Sequence, residues 1–137
     1  MIFTHGAAEA IMKTGEIYCW DTDKAKNHAQ RKKYHIFICA ADWQDDNTFM
    51  FICSSTYFSD FEITKADWKE MPKERSAISC SSPIFYSDAE LTRHKIPPVG
   101  KLTVECMKRL ARHVQDSETL ERRYIRKIVE ALHAACK

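Results

Sequence analysis

The amino-acid sequence predicts an α+β fold, a small antiparallel β-barrel followed by C-terminal helices. Short segments rich in aromatic and β-branched residues recur at regular intervals through the first two thirds of the chain, a pattern typical of small curled sheets and barrels. The last third has apolar residues at helical spacing instead. We therefore expect residues 1–137 to form one domain, with the barrel over about residues 15–90 and the helices over about residues 101–136.

The composition is that of a folded protein. The chain has 137 residues, of which 45% are hydrophobic and 29% charged, so it can bury a core and is unlike disordered or collagen-like chains. No apolar run approaches the roughly 18 residues of a membrane span, and the first residues do not resemble a secretory signal. The six cysteines show no C-x-x-C spacing, which indicates reduced thiols. We expect a cytoplasmic protein with no membrane partner.

The first predicted strand, residues 16–20, follows Gly15 and is rich in β-forming side chains. Residues 3–13 before it predict a short lead-in helix or a tail. Residues 21–33 are polar and lack apolar periodicity, so they predict a long loop. Residues 24–33 of this loop include five basic residues and no acidic one, a local charge that suits a polyanion.

A central antiparallel hairpin is predicted from two apolar segments, residues 34–40 and 48–56. Residues 45–47, Asp-Asp-Asn, supply the turn between them, and we interpret the acidic residues of this turn as solvated. Because both segments are almost continuously apolar, we expect both faces of the hairpin to be buried. Further short strands are predicted at residues 61–64, 76–80 and 83–86.

Two C-terminal helices follow. Thr103 is the predicted N-cap of the first, whose apolar residues from Val104 to Val114 lie three or four positions apart. Ser117 is the predicted N-cap of the second. Its apolar residues predict a core stripe or a dimer interface, and the basic residues beside that stripe, among them Arg123 and Lys127, predict a solvated face.

Several enzyme classes are disfavoured by missing motifs. The sequence lacks the nucleotide-binding patterns G-x-x-x-x-G-K and G-x-G-x-x-G, the hydrolase pattern G-x-S-x-G and the zinc pattern H-E-x-x-H. The histidines and cysteines have no ligand spacing, and the acidic turn lacks the glycine and final glutamate of a calcium loop. We expect neither a metal nor a cofactor.

A group of basic, imidazole and hydroxyl side chains is predicted at one edge of the sheet. In an antiparallel hairpin the start of one strand lies beside the end of the next. Counting outward from the turn therefore places the region from Lys33 to His35 near the region from Ser54 to Thr56.

The order of these elements resembles the PemK/MazF-like family, small cytosolic ribonucleases of toxin–antitoxin modules. Three segments carry the resemblance, which covers roughly residues 15–86: an initial G-[DE]-[IV]-[WY] strand, a basic loop leading into an apolar strand, and a second apolar strand ending in a Thr/Ser pair. They are here Gly15-Glu16-Ile17-Tyr18, the segment from Lys33 to Ile38 after its basic loop, and Cys53-Ser54-Ser55. The family's Arg-Pro pair is here Lys33-Tyr34, and its glycine-rich loop is missing.

The resemblance implies an SH3-like barrel and metal-independent cleavage of single-stranded RNA by the neighbouring 2′-hydroxyl. It also implies a homodimer and a cognate antitoxin protein as partners. As catalytic residues we predict His35 as base or acid, Arg31 or Lys33 for the developing charge, and Ser54 as a hydrogen-bond donor. For RNA binding we predict phosphate contacts and stacking by four further residues: Lys32, Ser55, Trp20 and Tyr34.

Each assignment has a structural alternative. A lone histidine in a strand, or an aromatic residue such as Trp20, is also typical of a core, and the serines are also typical of a strand end. A second function therefore stays open, a non-catalytic module on the same barrel that binds nucleic acid or a protein, for example as a phage or mobile-element accessory protein. The absence of the Arg-Pro pair favours it.

Overall fold

The computed structural model describes residues 12–24, 31–54, 60–94 and 97–137 and shows an α+β fold. The strands are β1 (Glu16–Thr22), β2 (Arg31–Cys39), β3 (Asn47–Cys53), β4 (Phe61–Thr64), β5 (Arg75–Ile78), β6 (Ile84–Tyr86) and β7 (Gly100–Lys101). The helices of these residues are α1 (Asp88–Arg93), α2 (Val104–Gln115) and α3 (Arg122–Ala135).

The strands form one curled antiparallel sheet, a half-barrel, in the order β4-β5-β3-β2-β1-β7. Strand β6 pairs with β3 outside this path. The predicted class, an antiparallel sheet with C-terminal helices, is confirmed. The predicted lead-in helix falls almost entirely on residues 3–11, which lie outside the described residues.

The predicted central hairpin is confirmed and consists of β2 and β3. Its register pairs Tyr34 with Ile52 and His35 with Phe51, and it shifts by one residue between Phe37 and Cys39. The first six residues of β3 are all buried, so this strand is covered on both faces, as its continuous hydrophobicity predicts.

Two apolar cores lie on opposite faces of the sheet because side chains alternate along each strand. On one face, residues such as Ile36 and Met50 pack with the apolar side of α2 and α3, including Leu110 and Leu132. The second core is smaller and mostly aromatic. It contains Met12, Tyr18, Trp20, Phe37, Phe49, Tyr86 and Leu91.

Gly15 joins the start of β1 to α2. Its φ of 93° lies in the left-handed region that favours glycine, and a Cβ atom there would be 2.6 Å from the Sδ atom of Met107. Its amide donates to the carbonyl of Phe37, and its carbonyl accepts from the amide of Leu102. The glycine therefore permits the sheet and the helix to approach closely.

The first C-terminal helix is capped as predicted, since Thr103 accepts a hydrogen bond from the amide of Cys106. The predicted start of the second helix was wrong. The Ser117 side chain instead accepts from the amides of Thr119 and Leu120, and α3 begins at Arg122. Ser117 thus stabilises a separate turn, which places Leu120 in the core.

Two elements were missed and one boundary was wrong. Helix α1 has a capping box, in which the Ser87 and Glu90 side chains each accept from the other's backbone amide, and its S-x-x-E pattern is visible in the sequence. The two-residue strand β7 has no such signal. The predicted loop over residues 21–33 is too long, because β1 continues to Thr22 and β2 already begins at Arg31.

Candidate functional site

The candidate site is the end of the sheet where β2 begins. Here Thr22 of β1 pairs with Arg31, Asp21 with Lys32, and Trp20 with Lys33. On the other side of β2, the register that pairs Tyr34 with Ile52 continues toward the end of β3. The start of β2 and Ser54, which directly follows β3, therefore lie at the same end of the sheet, as the sequence predicts.

The predicted residues of β2 divide between the two faces of the sheet. Lys33 and His35 are two positions apart and share the face of the aromatic core, whereas Lys32 and Tyr34 belong to the opposite face. His35 lies across from Phe51, so Ser54 comes three residues after its partner. Because side chains alternate between the two faces along a strand, a separation of three residues places the Ser54 side chain on the opposite face from His35.

His35 is fully buried in the aromatic core. Its Nδ1 atom lies 2.9 Å from the carbonyl oxygen of Lys33, and its Nε2 atom lies 2.8 Å from the hydroxyl of Tyr86. A carbonyl oxygen only accepts, so Nδ1 carries the proton and Nε2 of the neutral ring accepts from Tyr86. The Tyr86 hydroxyl is in turn 2.7 Å from Oγ1 of Thr22, which is also buried.

Burial strongly disfavours the charged form of this histidine. Desolvation lowers the pKa of His35 to about 3, although the bond to the Lys33 carbonyl acts in the opposite direction. A ring that is neutral at pH 7, enclosed and hydrogen-bonded at both nitrogens has no access to an RNA 2′-hydroxyl. The structure gives His35 a place in the core, and we do not include it in the proposed reaction.

Trp20, predicted to stack on bases, is also part of the core. It is sandwiched between two imidazole rings, His35 at 4.3 Å and His94 at 4.9 Å between ring centroids. Only 4% of Trp20 is exposed, so no base can reach its ring. Tyr34 is half-buried and meets Trp68 edge-to-face, with ring centroids 5.1 Å apart, beside the helical core.

The accessible members of the predicted set are basic and hydroxyl residues. Lys32 and Ser54 are exposed, and Lys33 is half-buried, with its Nζ atom 5.4 Å from the centre of the Phe51 ring. Arg31 is the first residue of β2. Ser55 lies outside the described residues.

A second set of charged residues joins the β2–β3 turn to α3. Lys127 Nζ lies 2.9 Å from Asp42 and 2.8 Å from Asp45, and Arg123 also pairs with Asp45. The interpretation of the turn and of this helix face as solvated was therefore wrong for Asp45 and Lys127, whose side chains are only 9% and 13% exposed, and it holds for the exposed Asp42 and Arg123. Hydrogen bonds from Lys127 and from the turn's backbone outweigh the effect of burial and hold the pKa of Asp42 at about 2.

Neither a metal centre nor a membrane helix is found in the described part of the chain. None of its groups of three or more His, Cys, Asp or Glu residues is arranged to hold a metal ion. No helix there is both long and apolar enough to cross a membrane. None of the six cysteines forms a disulfide.

Comparison with known proteins gives no family assignment. No protein-family model matches the chain, and a search of curated proteins finds no significant match.

Proposed function

We propose that this protein is a cytoplasmic, metal-independent endoribonuclease of the PemK/MazF toxin type, built on an SH3-like barrel. RNA and a cognate antitoxin are its proposed partners. One observation carries the proposal: the strand register puts the basic start of β2 at the end of the sheet where β3 leads into Ser54. Cations and a hydroxyl at one end of a sheet suit a phosphodiester, since phosphate contacts require little beyond positive charge and hydrogen-bond donors.

The proposed reaction uses the RNA's own nucleophile. The 2′-oxygen attacks the adjacent phosphorus and loses its proton, while the 5′-oxygen leaves and gains one. The products are a 2′,3′-cyclic phosphate and a 5′-hydroxyl. Negative charge builds on the five-coordinate phosphate, and Arg31 and Lys33 are assigned to stabilise it. The register that pairs Tyr34 with Ile52 continues to Lys32 and Ser54, so Ser54 is assigned as a hydrogen-bond donor on the side of Lys32. Lys32 is assigned to bind neighbouring phosphates.

The burial of His35 favours a second candidate function. Without this imidazole, the residues that the sequence predicts for catalysis include no group whose ordinary pKa lies near neutrality. A module that binds RNA or a protein through Lys32 and Lys33, without cutting, needs no such group. The two candidates share a surface and differ only in chemistry, so one experiment separates them.

The experiment incubates the purified protein with a long single-stranded RNA in EDTA and maps the fragment ends. The variants are Lys33→Gln, which retains a long side chain over Phe51, and Ser54→Ala. Lys108→Gln, at an exposed position of α2, is the matched control. We expect cyclic-phosphate and 5′-hydroxyl ends from the wild type and the control, and cleavage about 100-fold slower in Lys33→Gln.

The other outcomes are equally informative. Binding without cleavage, weakened in Lys33→Gln but not in Lys108→Gln, would support the non-catalytic module. Cleavage that is unchanged in Lys33→Gln and Ser54→Ala would retain the enzyme class and refute this site. A folded protein that neither binds nor cuts RNA would refute both proposals.

A further inference from the structure

A row of three side chains crosses neighbouring strands at the candidate site. Asp21 of β1 pairs with Lys32 of β2, and the β2–β3 register continues from Tyr34 and Ile52 to Lys32 and Ser54. Residues that pair in this way lie side by side on the same face of a sheet. The row therefore contains a carboxylate, an ammonium group and a hydroxyl, in that order across β1, β2 and the end of β3.

The row lies where one face of the sheet emerges from the helical core. Deeper in the same face, Ile36 and Met50 are fully buried in the core that includes α2 and α3, and Tyr34 beside them is half-buried. All three residues of the row are exposed. A ligand can therefore reach them from solvent, while the buried side chains further along hold the three strands in register.

The two charged members of the row are available to a ligand. None of the ion pairs among the described residues includes Asp21 or Lys32. Both charges act on one neighbour, the half-buried thiol of Cys19. Burial raises the pKa of this thiol, Lys32 lowers it and Asp21 raises it. The carboxylate and the ammonium group therefore lie near the same point of this face.

A carboxylate at this place answers a need of the proposed reaction. Some group must accept the proton of the 2′-hydroxyl, and the burial of His35 removes the imidazole that the sequence offers for this role. An aspartate carboxylate is ordinarily ionised at pH 7 and can accept a proton without any imidazole. Away from the reacting atoms a carboxylate only repels RNA, so its position beside Lys32 is informative.

We propose that Asp21 is the general base of the ribonuclease, an assignment that rests on the function proposed above. Asp21 takes the proton of the 2′-hydroxyl as the 2′-oxygen bonds to phosphorus. Lys32 holds the reacting phosphate as well as its neighbours, and Ser54 donates a hydrogen bond to the 5′-oxygen as the bond from that oxygen to phosphorus breaks. The 5′-oxygen gains a proton from water, and the Asp21 carboxyl returns its own to water.

The order of the row suits this reaction. In an in-line displacement the attacking and leaving oxygens are on opposite sides of phosphorus. Neighbouring strands lie about 4.8 Å apart, so the two ends of the row are about 10 Å apart with Lys32 midway between them. Two hydrogen bonds of about 3 Å, one at each end, leave room for a phosphate in the middle. The base and the donor thus lie on opposite sides of the cation.

The first experiment compares Asp21→Asn with Asp46→Asn on single-stranded RNA in EDTA. Asp46 is also exposed but lies in the turn at the opposite end of β2, so the control removes the same charge elsewhere. We expect cleavage about 100-fold slower in Asp21→Asn, with RNA bound at least as tightly as by the wild type, and no change in Asp46→Asn. Asp21→Glu, which retains the carboxylate, should restore part of the rate.

The second experiment distinguishes a base from a group that acts on the leaving oxygen. RNA with sulfur in place of the 5′-oxygen, at a cleavage position mapped with the wild type, releases a thiolate that needs no proton. We expect Ser54→Ala to cleave this substrate nearly as fast as the wild type. Asp21→Asn should remain about 100-fold slower, because the 2′-hydroxyl must still lose its proton.

The outcomes separate this assignment from the function on which it rests. A wild type that does not cleave RNA would refute the proposed function and the assignment with it. A wild type that cleaves, together with an equally fast Asp21→Asn, would refute the assignment alone. Recovery of Asp21→Asn on the sulfur substrate would also refute it, because the role of Asp21 would then be at the leaving oxygen.

Discussion

The buried imidazole of His35 makes the stability of the fold dependent on pH. Its pKa is about 3 in the folded protein and 6.5 in the unfolded chain. Between these values the unfolded chain binds a proton that the folded protein does not. The stabilisation is therefore complete above pH 6.5 and is lost as the pH falls toward 3.

The magnitude follows from these two pKa values. Linkage gives a loss of about 2 kcal/mol in the free energy of unfolding between pH 7 and pH 5, from this one residue. This window lies above the usual pKa range of carboxylates, so it separates the histidine from general acid denaturation. Burial also lowers the pKa of His94, the half-exposed ring on the other side of Trp20, which adds a smaller effect of the same sign.

Urea denaturation at pH 7 and pH 5 measures the effect. We expect the loss of about 2 kcal/mol in the wild type, most of it retained in the matched variant His94→Gln and absent in His35→Gln. Because a substitution at a fully buried residue can prevent folding, the wild-type NMR resonance of the His35 ring is a second measurement. It should not move between pH 7 and pH 5. A ring resonance that titrates in this range would refute the reasoning.

Three further predictions concern packing and pairing, each measured as a free energy of unfolding in urea. Tyr86→Phe should lose about 1–3 kcal/mol because it leaves Nε2 of His35 without its donor; no loss would mean that this bond is absent in solution. Gly100→Ala should lose about 1–3 kcal/mol, since its Cβ atom would lie 2.0 Å from Nε1 of the buried Trp68; an unchanged stability would contradict this packing. Asp45→Asn should lose about 1–3 kcal/mol, because it weakens a largely buried contact with Lys127. The control Glu62→Gln, which removes an exposed pair with Arg75, should lose less than about 1 kcal/mol, and equal losses would refute the importance of burial.

The local elements of this fold could be predicted from sequence because local chemistry specifies them. Apolar segments on both sides of a polar turn predict the β2–β3 hairpin. Thr103 predicts the start of α2 because its side chain accepts a hydrogen bond from the amide of Cys106, only three residues further along the chain. Ser117 shows the weakness of such a signal. The same side-chain bond stabilises a short turn as well as a helix start, and the burial of Leu120 favours the turn.

The state of the candidate site could not be predicted because it depends on distant residues. His35 meets a tyrosine 51 positions away, and the acidic turn meets a lysine 82 positions away. Nothing near His35 in sequence shows that Tyr86 occupies its Nε2 atom. The alternation of side chains along β2 does predict that Lys33 and His35 share a face. It does not predict that other residues bury the histidine completely and leave Lys33 half-buried.

The sheet order has a consequence for how other chains recognise this protein. Its two outer strands, β4 and β7, have only four and two residues, while the long strands β2 and β3 lie between neighbours. An extended peptide that binds by adding a strand needs a longer row of unpaired backbone groups than these outer strands supply. Short outer strands also hinder edge-to-edge aggregation. At these two outer strands, selectivity among partners therefore depends on side chains rather than on backbone pairing.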